Sequence, residues 1–545
     1  MVRRLLVHIV GCLLMLLSFT SLAFEPAKDG LRELSEQLAD AKLKAVPGIV
    51  QQLEKVGGET VLPLFESLLA GQLYYQKNDK VIVIAEKQSN GDYAISDALS
   101  GDKLGQIKKK KIKKVRVNNK LRTLLRDTIA RLTLFSNKED MRKKAVSNML
   151  NSLNPANVAL LKNAQSQESS DDVLALITLA LALNDLQNSS EQTKRLSALA
   201  VMDGSLEPVV RNALQTLLVK NESGVYQETD AEVRKKAEKI AQSIQGKIEF
   251  YGFLEQLFFG LSLGSVLLLV ATGLAITFGV MGVINMAHGE LIMLGAYTTY
   301  VIQQLMPNHI EYSIWVAIPA AFLVSGFVGV LIERGVIRFL HGRPLETLLA
   351  TFGISLILQQ VVRSVFSPLN RQVETPMWMS GSLELNSVFS ITYNRLYIFL
   401  FALIVFLILQ IILKKTSLGL HVRAVSQNRN MAKAIGIRTQ WVDAMTFGLG
   451  SGIAGIAGVA LSQLTNVGPN LGQAYIIDSF MVVVFGGVGN LWGTLVGGFT
   501  LGVTNKFLEP VTGAVLANII VLVFIILFIQ KRPRGLFPQK GRAAG

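Results

Sequence analysis

The sequence has 545 residues; half are hydrophobic, 17% are charged, and the mean hydropathy is +0.40. These values exclude an ordinary soluble globular protein and indicate a membrane protein. The formal net charge is +15, but in the apolar half the basic residues cluster in particular loops. Such clusters are typical of topology signals, so nucleic acid is not an expected partner.

Residues 1–23 predict a secretory signal peptide. Arg3 and Arg4 precede an apolar core, and the segment ends in the small residues of Ser21-Leu22-Ala23. An uncleaved first membrane helix is the alternative. Cys12 is the only cysteine, and a lipoprotein cleavage site there is disfavoured because the preceding apolar stretch is short and contains His8. The mature chain would then lack disulfides and thiolate metal sites.

Residues 24–227 read as an exported, water-soluble domain. Its first part has helical periodicity, and short β-rich segments follow, separated by turn-forming residues at 77–79 and 90–92. This pattern predicts a small β-meander. The basic run KKKKIKKVR, residues 108–116, could contact anionic lipid headgroups or form a solvated strand; the second interpretation is preferred.

Helical segments return between Asn137 and Val219. Three similar ones begin at Arg142, Val173 and Val209, spaced by about 31 to 36 residues, which suggests a short stack of helical hairpins of the HEAT kind. Catalytic or metal-binding motifs are missing from this part of the sequence, so we expect a binding or scaffolding module. Residues 228–250 predict a helical linker to the membrane domain.

Residues 251–530 predict a membrane domain of about nine helices, some of them discontinuous, and residues 531–545 a cytoplasmic tail. The predicted fold class is therefore an all-α polytopic membrane protein with an N-terminal periplasmic, mainly α-helical domain containing a small β-meander. The predicted spans are 253–280, 287–305, 313–331, 347–365, 396–413, 442–464, the broken pair 476–488 and 491–507, and 511–529.

The loops between these spans carry an orientation signal. Lysine and arginine concentrate at 334–343, 414–438 and 531–542, while the remaining loops are poor in both. Because basic loops are retained on the cytoplasmic side, the C-terminus is predicted inside the cell and the N-terminal domain outside.

Polar groups within the spans are few. Asn285, His288 and Glu290 lie where the first span ends and the second begins; they either cap the second helix or line a substrate path. The glycine-rich run 485–498 breaks the seventh and eighth spans and is faintly similar to 278–289. Such breaks indicate discontinuous helices around a pathway, or close helix packing.

Three runs carry a family resemblance: GLAITFGVMGVINMAHGELIMLGAY from Gly273, TSLGLHVRAVSQNRNMAKAIGIRTQ from Thr416 and FGGVGNLWGTLVGG from Phe485. In this order they resemble the inner-membrane permeases of ABC importers of the branched-chain amino acid type. The resemblance covers about residues 250–537. The additional exported domain, together with the form of the membrane motifs, makes the chain similar to the permease subunit of bacterial urea importers.

The resemblance implies a division of labour. A periplasmic solute-binding protein would deliver solute, two permease subunits (two copies or a paralogous pair) would form the pore, and cytoplasmic ATPase subunits would drive transport. The chain has no G-x-x-x-x-G-K-[ST] phosphate loop, so the usual ATPase site is absent from it. It is expected to be a permease rather than an enzyme, without cofactor or metal.

Urea is the preferred solute, with a branched-chain amino acid or a short amide as the alternative. The expected path offers hydrogen-bonding groups and closely packed glycines. Its candidate residues are Thr272, Thr277, Asn285, His288, Glu290, Gln359, Gln360, Gly486, Gly487 and Gly489.

The loop from Thr416 to Ile437 contains no carboxylate and predicts a short helix. Ser426 or Asn428 can cap it and Gly436 can end it. The helix would enter a groove of the ATPase or lie on anionic lipid. In the family this loop couples permease to ATPase, and Asn428 departs from the acidic residue common there. The candidate coupling residues are Gly419, Arg423, Ala424, Asn428, Met431, Ala432, Ile435 and Gly436.

Two other function classes are possible. A passive channel or secondary carrier would not need such a cytoplasmic docking helix. A membrane-anchored receptor would not need so many spans.

Overall fold

The computed structural model describes residues 26–88, 92–220 and 226–537. The predicted signal peptide, most of the turn at 90–92 and the end of the predicted tail lie outside the described residues. Contacts divide the chain into two compact units, Met1–Gln245 and Gly246–Gly545.

In the first unit, three helices precede a β-sheet and a fourth helix follows it. These helices are α1 (Pro26–Asp40), α2 (Val46–Gly57), α3 (Leu62–Ala70) and α4 (Asn119–Thr133). Their apolar faces meet in a core that includes the fully buried Leu53, Phe65 and Leu125. Asn118 begins α4 by accepting a hydrogen bond from the backbone nitrogen of Leu121, as an N-cap does.

The sheet is antiparallel, with strand order β4-β3-β2-β1-β5. Its strands are β1 (Leu73–Gln76), β2 (Ile82–Lys87), β3 (Tyr93–Asp97), β4 (Lys103–Ile107) and β5 (Ile112–Lys114). The first four form the expected meander. The basic run includes edge strand β5, where Lys113 and Lys114 are exposed. Lysines on a free edge discourage pairing with another strand, which supports the solvated-strand interpretation.

Five further helices follow in this unit: α5 (Glu139–Met149), α6 (Pro155–Gln167), α7 (Asp171–Asn188), α8 (Gln192–Met202) and α9 (Pro208–Leu218). The three similar segments noted in the sequence fall in α5, α7 and α9. Helix α7 packs against both of the others, an arrangement expected of stacked helical hairpins.

Helix α10 (Ala231–Met281) is 51 residues long. The sequence predicts a polar linker helix and a separate first span, but a single unbroken helix contains both, and the boundary between the two compact units falls within it. Neither proline nor a capping residue interrupts the helix between Glu249 and Phe253, so helical hydrogen bonding continues.

The second unit continues with α11 (His288–Leu305), α12 (Ile310–Gly335), α13 (Pro344–Phe366), α14 (Tyr393–Lys415), α15 (Ser417–Gln427), α16 (Arg429–Ala434), α17 (Thr439–Ser462), α18 (Gln473–Gly486), α19 (Leu491–Thr512) and α20 (Ala514–Lys531). A two-stranded ribbon of β6 (Ser382–Glu384) and β7 (Ser390–Thr392) precedes α14.

Helix α17 is the central helix of this unit, because its glycines allow other helices to approach its backbone closely. A Cβ on Gly450 would lie 2.7 Å from the carbonyl oxygen of Gly273 in α10, and one on Gly458 would lie 2.0 Å from that of Ile292 in α11. On another side of α17, a Cβ on Gly455 would lie 2.5 Å from the carbonyl oxygen of Ala321 in α12. Small residues thus let three helices pack backbone to backbone around α17.

Within the described residues, six helices are long and apolar enough to cross a membrane: α10, α12, α13, α14, α17 and α20. Helix α18 is apolar but shorter. Each of the nine predicted spans coincides with a helix, α11 and α19 included, but nine crossings remain a prediction.

Candidate functional site

Two helices of the second unit begin deep inside it. After Met281 the chain turns at Gly282 (φ 68°) and continues without helical structure to His288. The His288 Nε2 atom lies 3.1 Å from the carbonyl oxygen of Val270. Val270 precedes the end of α10 by 11 residues, about 16 Å along the helix. Helix α11 therefore begins beside the middle of the apolar part of α10.

Helix α18 begins at the same place. The chain between α17 and α18 first pairs with the segment after α13, through two hydrogen bonds between Val467 and Arg371 of 2.7 and 2.9 Å. It then reaches Gly472, whose hypothetical Cβ would lie 1.7 Å from the carbonyl oxygen of Gly289. The N-termini of α11 and α18 thus meet at a glycine-to-glycine contact, which we call the junction.

A row of polar side chains on α13 faces these two helix starts. Its members recur every fourth residue and therefore share one helix face. We call Thr347, Thr351, Ser355, Gln359 and Arg363 the α13 polar stripe. The first four are at most 3% exposed. A continuous polar face in an otherwise apolar helix requires polar partners or a water-containing path.

Glu290 of α11 supplies one partner. Its Oε1 atom accepts hydrogen bonds of 2.8 Å from Ser355 Oγ and from Gln359 Nε2. Arg363 continues the network by donating to Gln359 Oε1 at 3.3 Å and to Asn470 Oδ1 at 2.8 Å. At the other end of the stripe, Thr351 Oγ1 accepts from the backbone nitrogen of Met286 at 3.1 Å.

Several buried polar atoms beside the junction have no hydrogen-bond partner among the described residues. They are Glu290 Oε2, Asn285 Nδ2 and His288 Nδ1. A buried polar group without a partner costs free energy and therefore marks a place where water or a solute can bind. Donors and acceptors are both present, so the site suits a small molecule that carries both.

The structure brings together only part of the predicted path. Glu290 and Gln359 are in direct contact, and Asn285 and His288 lie at the junction. Asn285 Oδ1 accepts a hydrogen bond of 3.0 Å from the backbone nitrogen of Ala287 within the turn before α11. Helix α11 itself begins after Ala287 without a side-chain cap, so Asn285 does not cap it.

Three other predicted residues lie apart from this network. Thr272 and Thr277 donate to carbonyl oxygens of their own helix, at 2.9 Å to Leu269 and 3.0 Å to Leu274. Gln360 is exposed, on a different face of α13 from the buried Gln359.

The predicted glycines Gly486, Gly487 and Gly489 lie at the far end of α18. The chain breaks between α18 and α19 as expected, with positive φ at Gly487 and Gly489. This break packs against Gly279 of α10 and accepts a hydrogen bond of 3.1 Å from the backbone nitrogen of Phe537. Helix α18, about 20 Å long by its 14 residues, separates it from the junction.

Sequence inspection missed Thr347, Thr351, Ser355, Arg363 and Asn470. The first four were detectable, because polar residues at intervals of four in an apolar helix form a polar face. Asn470 lies in a loop and carries no such signal.

The predicted coupling loop contains two helices rather than one. Helix α15 folds back on α14, and a Cβ on Gly419 would lie 2.1 Å from the carbonyl oxygen of Leu413. Arg423 donates to that same oxygen. Asn428 Oδ1 then caps α16 by accepting from the backbone nitrogen of Met431 at 2.9 Å, and Gly436 (φ 93°) follows its end. Ser426 does not cap; its hydroxyl donates to the carbonyl oxygen of Arg423.

The faces of α16 differ in exposure. Met431 is 61% exposed and Ile435, directly after the helix, is 66% exposed, whereas Ala432 is buried at 2%. Ala432 packs with Val422, Val425 and Val442, in a cluster that Val280 of α10 and the partly buried Ala424 also join. Arg429 forms an ion pair with Asp443 at the start of α17. The loop is thus fixed to the body of the second unit while two apolar side chains project from it.

Comparison with known proteins gives one family. Residues 256–529 match the family described as "Branched-chain amino acid transport system / permease component". The match includes every residue of the junction, the α13 polar stripe and the coupling loop.

Among curated proteins, the branched-chain amino acid transport permease LivH of Salmonella typhimurium is 32% identical over 300 residues, which is 53% of this chain and 96% of LivH. BraD of Pseudomonas aeruginosa is 30% identical over 297 residues, with the same coverage. The ribose import permease RbsC of Bacillus subtilis matches more locally, at 30% over 138 residues, 23% of this chain and 43% of RbsC. No solved structure matches significantly.

Proposed function

Because this chain belongs to the family of permease components of branched-chain amino acid transport systems, we propose that it is the inner-membrane permease subunit of an ABC importer. In this proposal the solute crosses along the α13 polar stripe and passes the junction. The hydrogen-bonded contact of Glu290 with Ser355 and Gln359 is the observation on which the path rests.

The path has the chemistry that a small polar solute needs. Hydroxyl and amide groups of the stripe can exchange hydrogen bonds with the solute in place of water. The N-termini of α11 and α18 touch through Gly289 and Gly472, so no side chain separates the two backbones there. Half-helices that meet near the centre of a bundle are a common form of transporter site.

We propose that the coupling loop receives the ATPase subunits. Met431 and Ile435 would enter a groove of that partner, as exposed apolar residues of a short helix do. A movement of α16 reaches the path by a short route, because Val280 packs in the coupling-loop cluster and lies two residues before the turn at Gly282. The remaining partners would be a second permease subunit and a periplasmic solute-binding protein.

Branched-chain amino acids are the solutes that the relatives favour, since LivH and BraD are named for their transport. Two charged groups support this assignment. Glu290 can bind an ammonium group, and Arg363 can bind a carboxylate.

Urea is the second candidate, and the first compact unit favours it. LivH is covered almost end to end by about half of this chain, and the family match begins only at residue 256. The chain therefore carries a large additional unit, and the resemblance to urea importer permeases rests on this unit together with the form of the membrane motifs. The stripe's neutral hydroxyl and amide groups also suit a small neutral solute.

The test is uptake by the complete importer in proteoliposomes with its binding protein. Labelled leucine and labelled urea are supplied separately, with ATP inside the vesicles. We expect ATP-dependent uptake of one of them, and no uptake with ATPase subunits whose phosphate-loop lysine is replaced. Uptake that continues without ATP would contradict the proposal and favour a channel or carrier. Uptake of leucine alone would exclude urea.

A further inference from the structure

A groove of about 380 Å³ lies at the end of the second unit where α12 and α14 begin and α17 ends. Its walls come from these three helices and from the turn at 377–379. All three helices are long and apolar enough to span a membrane, so hydrocarbon is the medium next to the groove in a membrane.

Aromatic rings form the rim of the groove. Trp315 and Trp378 stack with centroids 5.9 Å apart, and Tyr397 meets Trp378 edge-on at 5.3 Å. Trp378 is held in place because its Nε1 atom donates to the carbonyl oxygen of Glu311 at 3.0 Å. Tryptophan and tyrosine concentrate at the membrane–water interface, so the rim places the groove just below a bilayer surface.

Apart from the aromatic rim, the groove has one polar lining residue, Gln463, and this residue is incompletely bonded. It is 6% exposed, and its Nε2 atom donates to Ser462 Oγ at 3.3 Å. Its Oε1 atom is buried without a partner among the described residues. An unpartnered buried acceptor requires a hydrogen-bond donor. The groove thus combines an apolar cleft for hydrocarbon with one acceptor.

We propose that this groove binds one acyl chain of a membrane phospholipid whose headgroup donates a hydrogen bond to Gln463 Oε1. The chain lies between α12 and α14 against Val459 and Ala460 of α17. Phosphatidylethanolamine provides such a donor, whereas phosphatidylcholine, with its quaternary ammonium, does not. The bound lipid fills a gap beside the helix that also packs against α11 near the junction.

Tryptophan fluorescence tests this in the full chain reconstituted in vesicles. The chain has four tryptophans; Trp441→Phe with Trp492→Phe leaves only the two at the groove. Lipids with dibrominated acyl chains quench nearby indoles. We expect brominated phosphatidylethanolamine to quench the groove tryptophans with an apparent affinity about fivefold above that of brominated phosphatidylcholine, the ratio that one net hydrogen bond supplies.

Two variants provide the controls. Gln463→Leu should abolish the headgroup preference and leave chain binding intact. Ile404→Phe, at a lining residue that is 54% exposed and therefore tolerant, should fill the groove and lower quenching for both lipids. Equal quenching by both lipids that neither variant changes would overturn the proposal. Disulfide formation between Tyr397→Cys residues of two copies would also overturn it, since a second chain would then occupy the groove.

Discussion

Two glutamines of α13 show how adjacent residues of one helix can have unrelated roles. Gln359 and Gln360 are adjacent and chemically identical, yet one binds Glu290 and the other is exposed. The sequence predicts both for the path, because it does not reveal which face of α13 meets α11. Gln359 joins the network because the buried carboxylate of Glu290 needs hydrogen-bond donors where water is excluded.

The two glutamines make a matched pair for mutation. Gln359→Ala removes one donor from Glu290 Oε1, and a hydrogen bond to a charged group contributes enough that uptake should fall roughly tenfold or more. Gln360→Ala should leave uptake unchanged. Initial uptake rates at equal amounts of assembled importer measure the difference. An equal loss in both variants would show that the stripe is not the path.

An ion pair in the first unit gives a pH prediction. Glu168 accepts two hydrogen bonds of 2.8 Å from Arg142 and others from the backbone nitrogens of Ser169 and Ser170. These bonds, the arginine's first, hold the pKa of Glu168 below the usual glutamate value. A lowered carboxyl pKa means stability that is present at neutral pH and lost as the pH falls through the folded-state pKa.

We therefore expect the melting temperature of a fragment of residues 26–245 to fall on acidification below the usual glutamate pKa. Glu168→Gln should lower it at pH 7 and make it less dependent on pH. Glu33→Gln, at an exposed position of α1, serves as the control and should follow the wild type. Parallel curves for wild type and Glu168→Gln would contradict the assignment.

At the scale of elements, glycine decides which helices touch. Gly295 of α11 faces α17, where its hypothetical Cβ would lie 2.0 Å from the carbonyl oxygen of Gly455. A Cβ on Gly353 of α13 would have no atom of a neighbouring segment within 4 Å. Both are glycines within helices, so sequence propensity treats them alike.

Gly295→Ala should separate α11 from α17, lower thermal stability in detergent and reduce uptake. Gly353→Ala should leave uptake unchanged and can stabilise α13 by up to about 1 kcal/mol. The readout is the melting temperature followed by size-exclusion chromatography. A neutral Gly295→Ala would mean that the close contact is not required.

The coupling loop gives a second prediction at this scale. Met431→Glu with Ile435→Glu places charges on the two exposed apolar side chains, so binding of the ATPase subunits should be lost while the permease still inserts. Ala432→Leu should instead overfill the Ala432 cluster and destabilise the permease itself. Co-purification with the ATPase distinguishes the two outcomes. If the double variant still binds the ATPase subunits, the prediction is wrong, and contact with membrane lipid would be the role left for α16.

At the scale of the whole molecule, the basic loops predict the orientation of the chain in the membrane. The predicted orientation places the loop at Ser387 outside and the end of α14 at Lys415 inside. Ser387→Cys and Asn308→Cys should react with a membrane-impermeant maleimide in intact spheroplasts, because both sites are exposed. Lys415→Cys and Arg532→Cys should react only after permeabilisation. Labelling of all four in intact cells would contradict the predicted topology.

The sequence itself determined the class of the molecule, the position of the family motifs and the division into a polar and an apolar half. Those features depend on composition and local periodicity, which are properties of the chain alone. Local chemistry was equally informative at Asn428 and Gly436, because a cap and a left-handed glycine act within a few residues.

Only the tertiary structure decided which polar residues meet. It joined the predicted linker and first span into α10, replaced one coupling helix by α15 and α16, and brought Glu290 to Ser355 across 65 residues of sequence. It also separated Gly486 from the junction and made Gly472 part of it. The reason is that burial and hydrogen bonding depend on contacts between distant segments, and these are set by backbone-to-backbone packing at glycines that sequence patterns cannot pair.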